Sequence, residues 1–164
     1  MKNSAHISQP LPQWGWNEPA SLPQLGIENI YAKLDSGADS SSLHATAIMI
    51  LEIEGQTIVE FTPPLLRHQR QSQSFPVGGV RRVRAPLMSR RLVRSSNGQE
   101  EERVLIETEL KIASLEWKIK VSLCDRSNLR FPLLLGREAL GGRCLIDCSR
   151  EQTIQHAQEP SAKD

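Results

Sequence analysis

Asp35, Ser36 and Gly37 stand together at the end of an apolar stretch, Ile30-Tyr31-Ala32-Lys33-Leu34, and run on into Ala38 and Asp39. A carboxylate on a tight turn at a strand end projects beyond the sheet, where it can take a proton from water or give one to a substrate. Asp, Ser and Gly are also common turn formers, so the triplet alone is by default a plain turn. A second segment far downstream changes its weight: Phe131-Pro132-Leu133-Leu134-Leu135-Gly136-Arg137-Glu138-Ala139-Leu140 reads as an apolar strand running into Gly-Arg and a short helix.

The elements that must position these two segments read as β-structure. Short apolar alternations such as Ile50 to Glu54 and Val104 to Leu110 recur between turn signals, and helical periodicity is scarce. Gly55-Gln56 and Ala113-Ser114 each separate two such runs and predict hairpins, and Asn97-Gly98 tolerates the positive φ of a third tight turn. One short helix is expected from about Gly136 to Leu140, stopped by Gly141-Gly142 in the left-handed conformation. Arg67 to Arg94 shows weak periodicity and is expected to form loops plus an irregular strand. With 164 residues, 38% of them hydrophobic, the chain can bury one core without disulfide or metal. Residues 1–12 lack the apolar surface to offset their ordering entropy and are expected to be a disordered lead-in, 13–149 the domain, and 150–164 a polar tail.

The pair Leu34-Asp35-Ser36-Gly37-Ala38-Asp39 and Leu134-Leu135-Gly136-Arg137-Glu138-Ala139-Leu140 resembles the two signatures of retropepsin-like aspartic proteases. A nearer resemblance is to bacterial proteins described as ATP-dependent zinc proteases and encoded beside a ribosomal-protein glutamate ligase. It is carried by Gly15-Trp16, Ser21 to Gly26, Ala32 to Ala38, Ser42 to Ala45, Val93 to Gly98, and Asp125-Arg126 through Gly136-Arg137. Yet no Gly-x-x-x-x-Gly-Lys-Ser/Thr phosphate loop and no His-Glu-x-x-His is present, so ATP and zinc have no recognisable ligands and no cofactor is expected.

The resemblance implies an all-β fold, a small closed acid-protease barrel with one short C-terminal helix. It implies that Asp35 is catalytic, that the Ser36 hydroxyl bonds across a dimer beneath the carboxylates, and that Gly37 lets backbone approach substrate. Aspartic peptidases need two carboxylates sharing one proton, and this chain has one such motif, so the resemblance implies a homodimer with Asp35 from each copy. Asp39 and Arg137 are expected to pair and fix the loop, with Leu135 and Gly136 supporting it from beside. A flap is expected over Leu92 to Val104. Ala38, Asp39 and Arg94 would face substrate, with Ser95, Ser96, Asn97 and Gly98 at the flap tip.

Charge is unevenly spread although the net is only +1 at pH 7, which excludes a general polyanion binder. From Phe61 to Gln99 there is no Asp or Glu, while Arg67, Arg70, Arg81, Arg82, Arg84, Arg90, Arg91 and Arg94 fall there. Arginines near a peptide cleft favour acidic, even glutamate-rich, peptides; solvated charge is the plainer explanation. Nucleic acid ranks lower, because only Phe75 is interleaved for stacking. The lack of an apolar leader or 20-residue apolar span and the odd cysteine count, Cys124, Cys144 and Cys148, suggest a cytoplasmic protein with no membrane partner. Cys144 and Cys148, four apart on a strand, lie too far apart for one metal ion. His44, close after Ser40-Ser41-Ser42, is expected to pack or hydrogen-bond, and Trp14, Trp16 and Trp117 to anchor the core or an interface. Two alternatives stand beside the peptidase: a noncatalytic peptide-binding or adaptor domain on the same fold, and a hydrolase of glutamyl tails.

Overall fold

The computed structural model describes residues 10–64, 81–94 and 100–154. The first nine residues of the expected lead-in, the tail from 155 and the flap tip Ser95 to Gly98 lie outside the described residues, as do Arg67 and Arg70. The strands run in chain order as β1 (Gln13–Gly15), β2 (Asn17–Leu22), β3 (Ile27–Leu34), β4 (Ser41–His44), β5 (Thr46–Ile53), β6 (Gln56–Thr62), β7 (Val83–Pro86), β8 (Ser89–Arg94), β9 (Glu100–Ile112), β10 (Leu115–Cys124), β11 (Leu133–Leu135) and β12 (Leu145–Asp147). Helix α1 is Arg137–Leu140.

Six strands pair around a ring, β10-β4-β11-β3-β2-β9, and the ring closes because β9 also pairs with β10. Closure removes the exposed edges an open sheet would present. The fold is the all-β, retropepsin-like barrel expected from the sequence. The long strand β9 serves three partners: Val104 to Ile112 pairs with β10, Lys111 pairs with Ser21 of β2, and Glu100 to Leu105 pairs with β8, which branches off the ring. Alternation explains the inward face. On β10 Trp117, Ile119, Val121 and Leu123 are buried while Glu116, Lys118 and Lys120 point outward, the period of two a half-buried strand requires. Beside the barrel, β5, β6 and β7 form a three-stranded sheet that sends Val59, Phe61 and Ala85 into the same core.

The turn signals located both hairpins to within a residue. Ala113 takes φ 53° between β9 and β10, and the β5–β6 turn sits on Glu54 (φ 50°) and Gly55 (φ 77°), one residue earlier than Gly55-Gln56. The helix stop falls on Gly142 (φ 71°) alone; Gly141 has an ordinary negative φ. The described part of the arginine-rich stretch, taken from the sequence as one irregular strand among loops, holds two regular ones, β7 and β8. Strand β2 escapes the periodicity because Pro19 interrupts its apolar pattern.

Residues 150–154, assigned to the tail by composition, pack against β2. Trp16 N–H donates to the Arg150 carbonyl at 3.0 Å and Gln152 N–H to the Asn17 carbonyl at 2.7 Å. The fully buried Glu18 carboxylate accepts from Gly15 N–H (2.7 Å), Thr153 N–H (3.0 Å), Ile154 N–H (3.2 Å) and the Thr153 hydroxyl. A buried carboxylate is tolerable only when its lone pairs are so filled. Among the described residues, no helix is long and apolar enough to cross a membrane.

Candidate active site

Strand β11 threads between β3 and β4, parallel to the first and antiparallel to the second, with Leu134 opposite Lys33 and Leu135 opposite Leu34. The register continues one residue past the strand, where Asp35 N–H donates to the Leu135 carbonyl at 2.9 Å. Leu133 and Leu135 are fully buried, so the floor beneath Asp35 is packed and its backbone is fixed. The turn closes on itself: Gly37 N–H donates to Asp35 Oδ1 at 2.9 Å and Ala38 N–H to the Asp35 carbonyl at 3.3 Å. Ser36, Gly37 and Asp39 are exposed, Asp35 and Ala38 half-buried.

Gly136 is required where it stands. A Cβ there would lie 2.5 Å from the Ser40 carbonyl oxygen and 2.8 Å from that of Asp39, both backbone atoms that cannot swing away. The close approach lets α1 dock on the loop: Arg137 N–H donates to the Ala38 carbonyl at 2.8 Å and Glu138 N–H to the Asp39 carbonyl at 3.0 Å. The Arg137 guanidinium then reaches across, Nη1 donating to the Ser36 carbonyl at 2.8 Å and Nη2 pairing with the Asp39 carboxylate. The Asp39–Arg137 pair expected from sequence is thus present, on the outside of the loop. Ser41 accepts the Gly136 N–H on its hydroxyl at 3.1 Å, and Trp117 Nε1 donates to the Ala139 carbonyl at 3.0 Å, tying the helix to β10.

Sequence reasoning gave Lys33 no role. Two residues before Asp35, it shares its face of the extended chain, and its Nζ lies 3.0 Å from Asp35 Oδ2. The period of two was the available signal: Ile30 to Leu34 alternates, and Lys33 falls on the face that Asp35 continues. The Lys33 ammonium bonds the Asp35 carboxylate and, with the Gly37 and Ala38 amides, holds its pKa below the usual range despite partial burial.

The structure therefore gathers Asp35, Ser36, Gly37, Ala38, Asp39, Leu135, Gly136 and Arg137 within one loop and its support. Arg94 ends β8, opposite Glu100 on β9, so the hairpin expected as a flap is present up to its tip. The arginine-rich stretch is less available than its composition suggests. Arg81 donates to the Leu25 and Gly26 carbonyls, Arg82 and Arg84 both bind Glu60, and Arg90 lies 3.6 Å from Glu102. His44 accepts the Arg126 N–H on Nδ1 at 2.9 Å, a structural contact at the end of β4.

Comparisons with known proteins agree with this geometry. Residues 13–157 match the RimB-like family, described as retropepsin-like aspartic endopeptidase RimB. The chain is 38% identical over 133 residues to a probable alpha-L-glutamate ligase of Desulfotalea psychrophila, covering 81% of this chain and 27% of that protein. It is 32% identical over 135 residues to a probable alpha-L-glutamate ligase of Shewanella pealeana, covering 82% of this chain and 28% of that one. The chain thus spans about a quarter of the length of these curated relatives. The crystal structure of a Legionella pneumophila protein of unknown function superposes with a TM-score of 0.67 at 26% identity, over 87% of this chain and 98% of the other. With the barrel, the Asp35 loop and the Gly136-Arg137 support all in place, the chain belongs to the RimB-like family of retropepsin-like aspartic endopeptidases.

Proposed function

We propose that two copies of this chain form an aspartic endopeptidase that hydrolyses acidic peptides, with the Asp35 carboxylates of both copies sharing one proton across a two-fold axis. One carboxylate takes a proton from water as that water attacks the scissile carbonyl; the protonated partner hydrogen-bonds the carbonyl oxygen. No covalent intermediate forms. The observation that carries the proposal is the Asp35 turn itself: a carboxylate held by Gly37 N–H, on a backbone whose Asp35 N–H is fixed to the Leu135 carbonyl at the end of a closed barrel, with Ser36 and Gly37 left exposed beside it. A lone carboxylate so placed lacks its acid partner, and a second copy supplies one. The β8–β9 hairpin closes over an extended peptide, and the enzyme works in the cytoplasm, where three unpaired cysteines persist.

Acidic substrates are favoured by the company the domain keeps. Its match lies within proteins named as probable alpha-L-glutamate ligases, and a hydrolase joined to such an enzyme is suited to glutamate-containing products. Hydrolysis of glutamyl tails is the second reading, favoured by the same observation. Asp35→Asn, assayed on Glu-containing peptides with product masses determined, is expected to lose at least about a thousandfold in kcat/KM. Undiminished cleavage by that variant would refute the proposal, and the masses distinguish internal cuts from removal of glutamyl residues.

A further inference from the structure

We infer that Lys33 is the residue that selects acidic side chains next to the scissile bond. The inference deepens the proposed peptidase and rests on it. Three observations lead to it.

The first is placement. Lys33 lies on the same face of the chain as the carboxylate it precedes, with Nζ 3.0 Å from Asp35 Oδ2, so its ammonium stands in the mouth of the site. Its side chain is 42% exposed, and its flexible four-carbon stem can turn from Asp35 to a substrate carboxylate without backbone movement. In a two-fold dimer each Asp35 brings its own Lys33, so one ammonium flanks the scissile bond on either side.

The second is the commitment of several other described cations. Arg137 is engaged by Asp39 and the Ser36 carbonyl, and Arg81, Arg82, Arg84 and Arg90 are bound within the chain. The third concerns the cavity of about 410 Å³ between β5, β9 and the end of β10. Its apolar lining includes Ile48 and Ile50, but Glu101, Glu102 and Asp125 also face it, and like charge repels an acidic side chain there. Acid recognition beside the scissile bond is thereby centred on Lys33, the cation that touches Asp35 among the described residues.

The contact also couples recognition to chemistry. The charged group facing Asp35 among the described residues is Lys33 from its own strand; Arg137 of α1 and Asp39 of the loop pair with each other on the loop's outside, and in the dimer the second Asp35 joins. Of these Lys33 alone touches the carboxylate in the single chain among the described residues, and it favours the ionised form. Two ionised carboxylates are one proton short of a working pair. A substrate carboxylate that draws Lys33 away lets the pair take up that proton from solvent, so an acidic side chain both binds and switches on the site.

The test uses the full-length protein and peptide pairs that differ only by Glu or Gln at the residues flanking the cut. Wild type is expected to favour Glu about tenfold or more in kcat/KM, the worth of one charge-assisted hydrogen bond. Lys33→Met should bring that ratio near one and move the pH profile on the Gln peptide upward, while Lys33→Arg restores the preference. A Glu-to-Gln ratio identical in wild type and Lys33→Met overturns the inference. If Asp35→Asn is inactive in the same assay the peptidase stands without it; if Asp35→Asn still cleaves, the peptidase itself falls. Should no peptide be cut, calorimetry with reduced-bond analogues of the two peptides decides the selectivity question. Tighter binding of the Glu analogue to wild type, lost in Lys33→Met, supports the role of Lys33, and equal binding overturns it.

Discussion

Asp35 is held as an anion by contacts within its own chain, and that fixes the sign of its pH dependence. Its folded pKa lies below the ordinary carboxylate value, so the Lys33 contact stabilises the fold above that value and is lost as pH falls through the lower one. Lys33→Met should therefore raise the pKa of Asp35, which a carboxyl-carbon NMR titration of wild type and variant would show; an unchanged midpoint contradicts it. Glu18 is the other residue on which much depends. Glu18→Ala would strand the buried amides of Gly15 and Ile154 and the half-buried amide of Thr153, at roughly 1–3 kcal/mol each. A loss of at least about 3 kcal/mol in chemical denaturation is expected, with early proteolysis of the chain end beyond Arg150. Nothing in the sequence near Glu18 announces this, because its partners at Thr153 and Ile154 lie some 135 residues away and their backbone amides carry no sequence signature.

Among the elements, α1 and β11 decide whether the Asp35 loop keeps its shape. Gly136→Ala must push the Ser40 and Asp39 carbonyls apart, and a cost of about 2–3 kcal/mol with loss of activity is expected. Arg137→Ala removes two anchors from the loop, at Ser36 and Asp39. The exposed ion pair is worth under about 1 kcal/mol to stability, so this variant should fold with a nearly unchanged melting temperature yet lose dimerisation and activity, read by sedimentation and peptide cleavage. Unchanged assembly would remove the Arg137 anchor from the explanation. Both segments were legible beforehand, since an Asp turn after a strand and an apolar strand entering Gly-Arg are local patterns. So were the turns at Gly55 and Ala113. Strands β1 and β12 were not, being three residues each and stabilised by a parallel partner at the far end of the chain. Lys33 was visible in principle two places before Asp35, but its contact needs the extended backbone that puts both side chains on one face.

For the molecule as a whole, the barrel closes with every ring strand paired on both sides. Under the proposed mechanism one chain supplies half of the carboxylate pair that the chemistry requires. Activity should accordingly fall more steeply than linearly as enzyme is diluted through the dimer dissociation range. The most direct measurement is subunit mixing. Wild-type chains are exchanged with increasing amounts of Asp35→Asn chains, after a dissociation step that both survive, and cleavage is recorded per wild-type chain. If both Asp35 carboxylates act together, only wild-type pairs cleave, and the rate per wild-type chain drops to about half in an equal mixture and continues down in proportion to the wild-type fraction. A rate per wild-type chain that stays constant at every ratio would mean that one Asp35 suffices, and would contradict the shared-proton dimer.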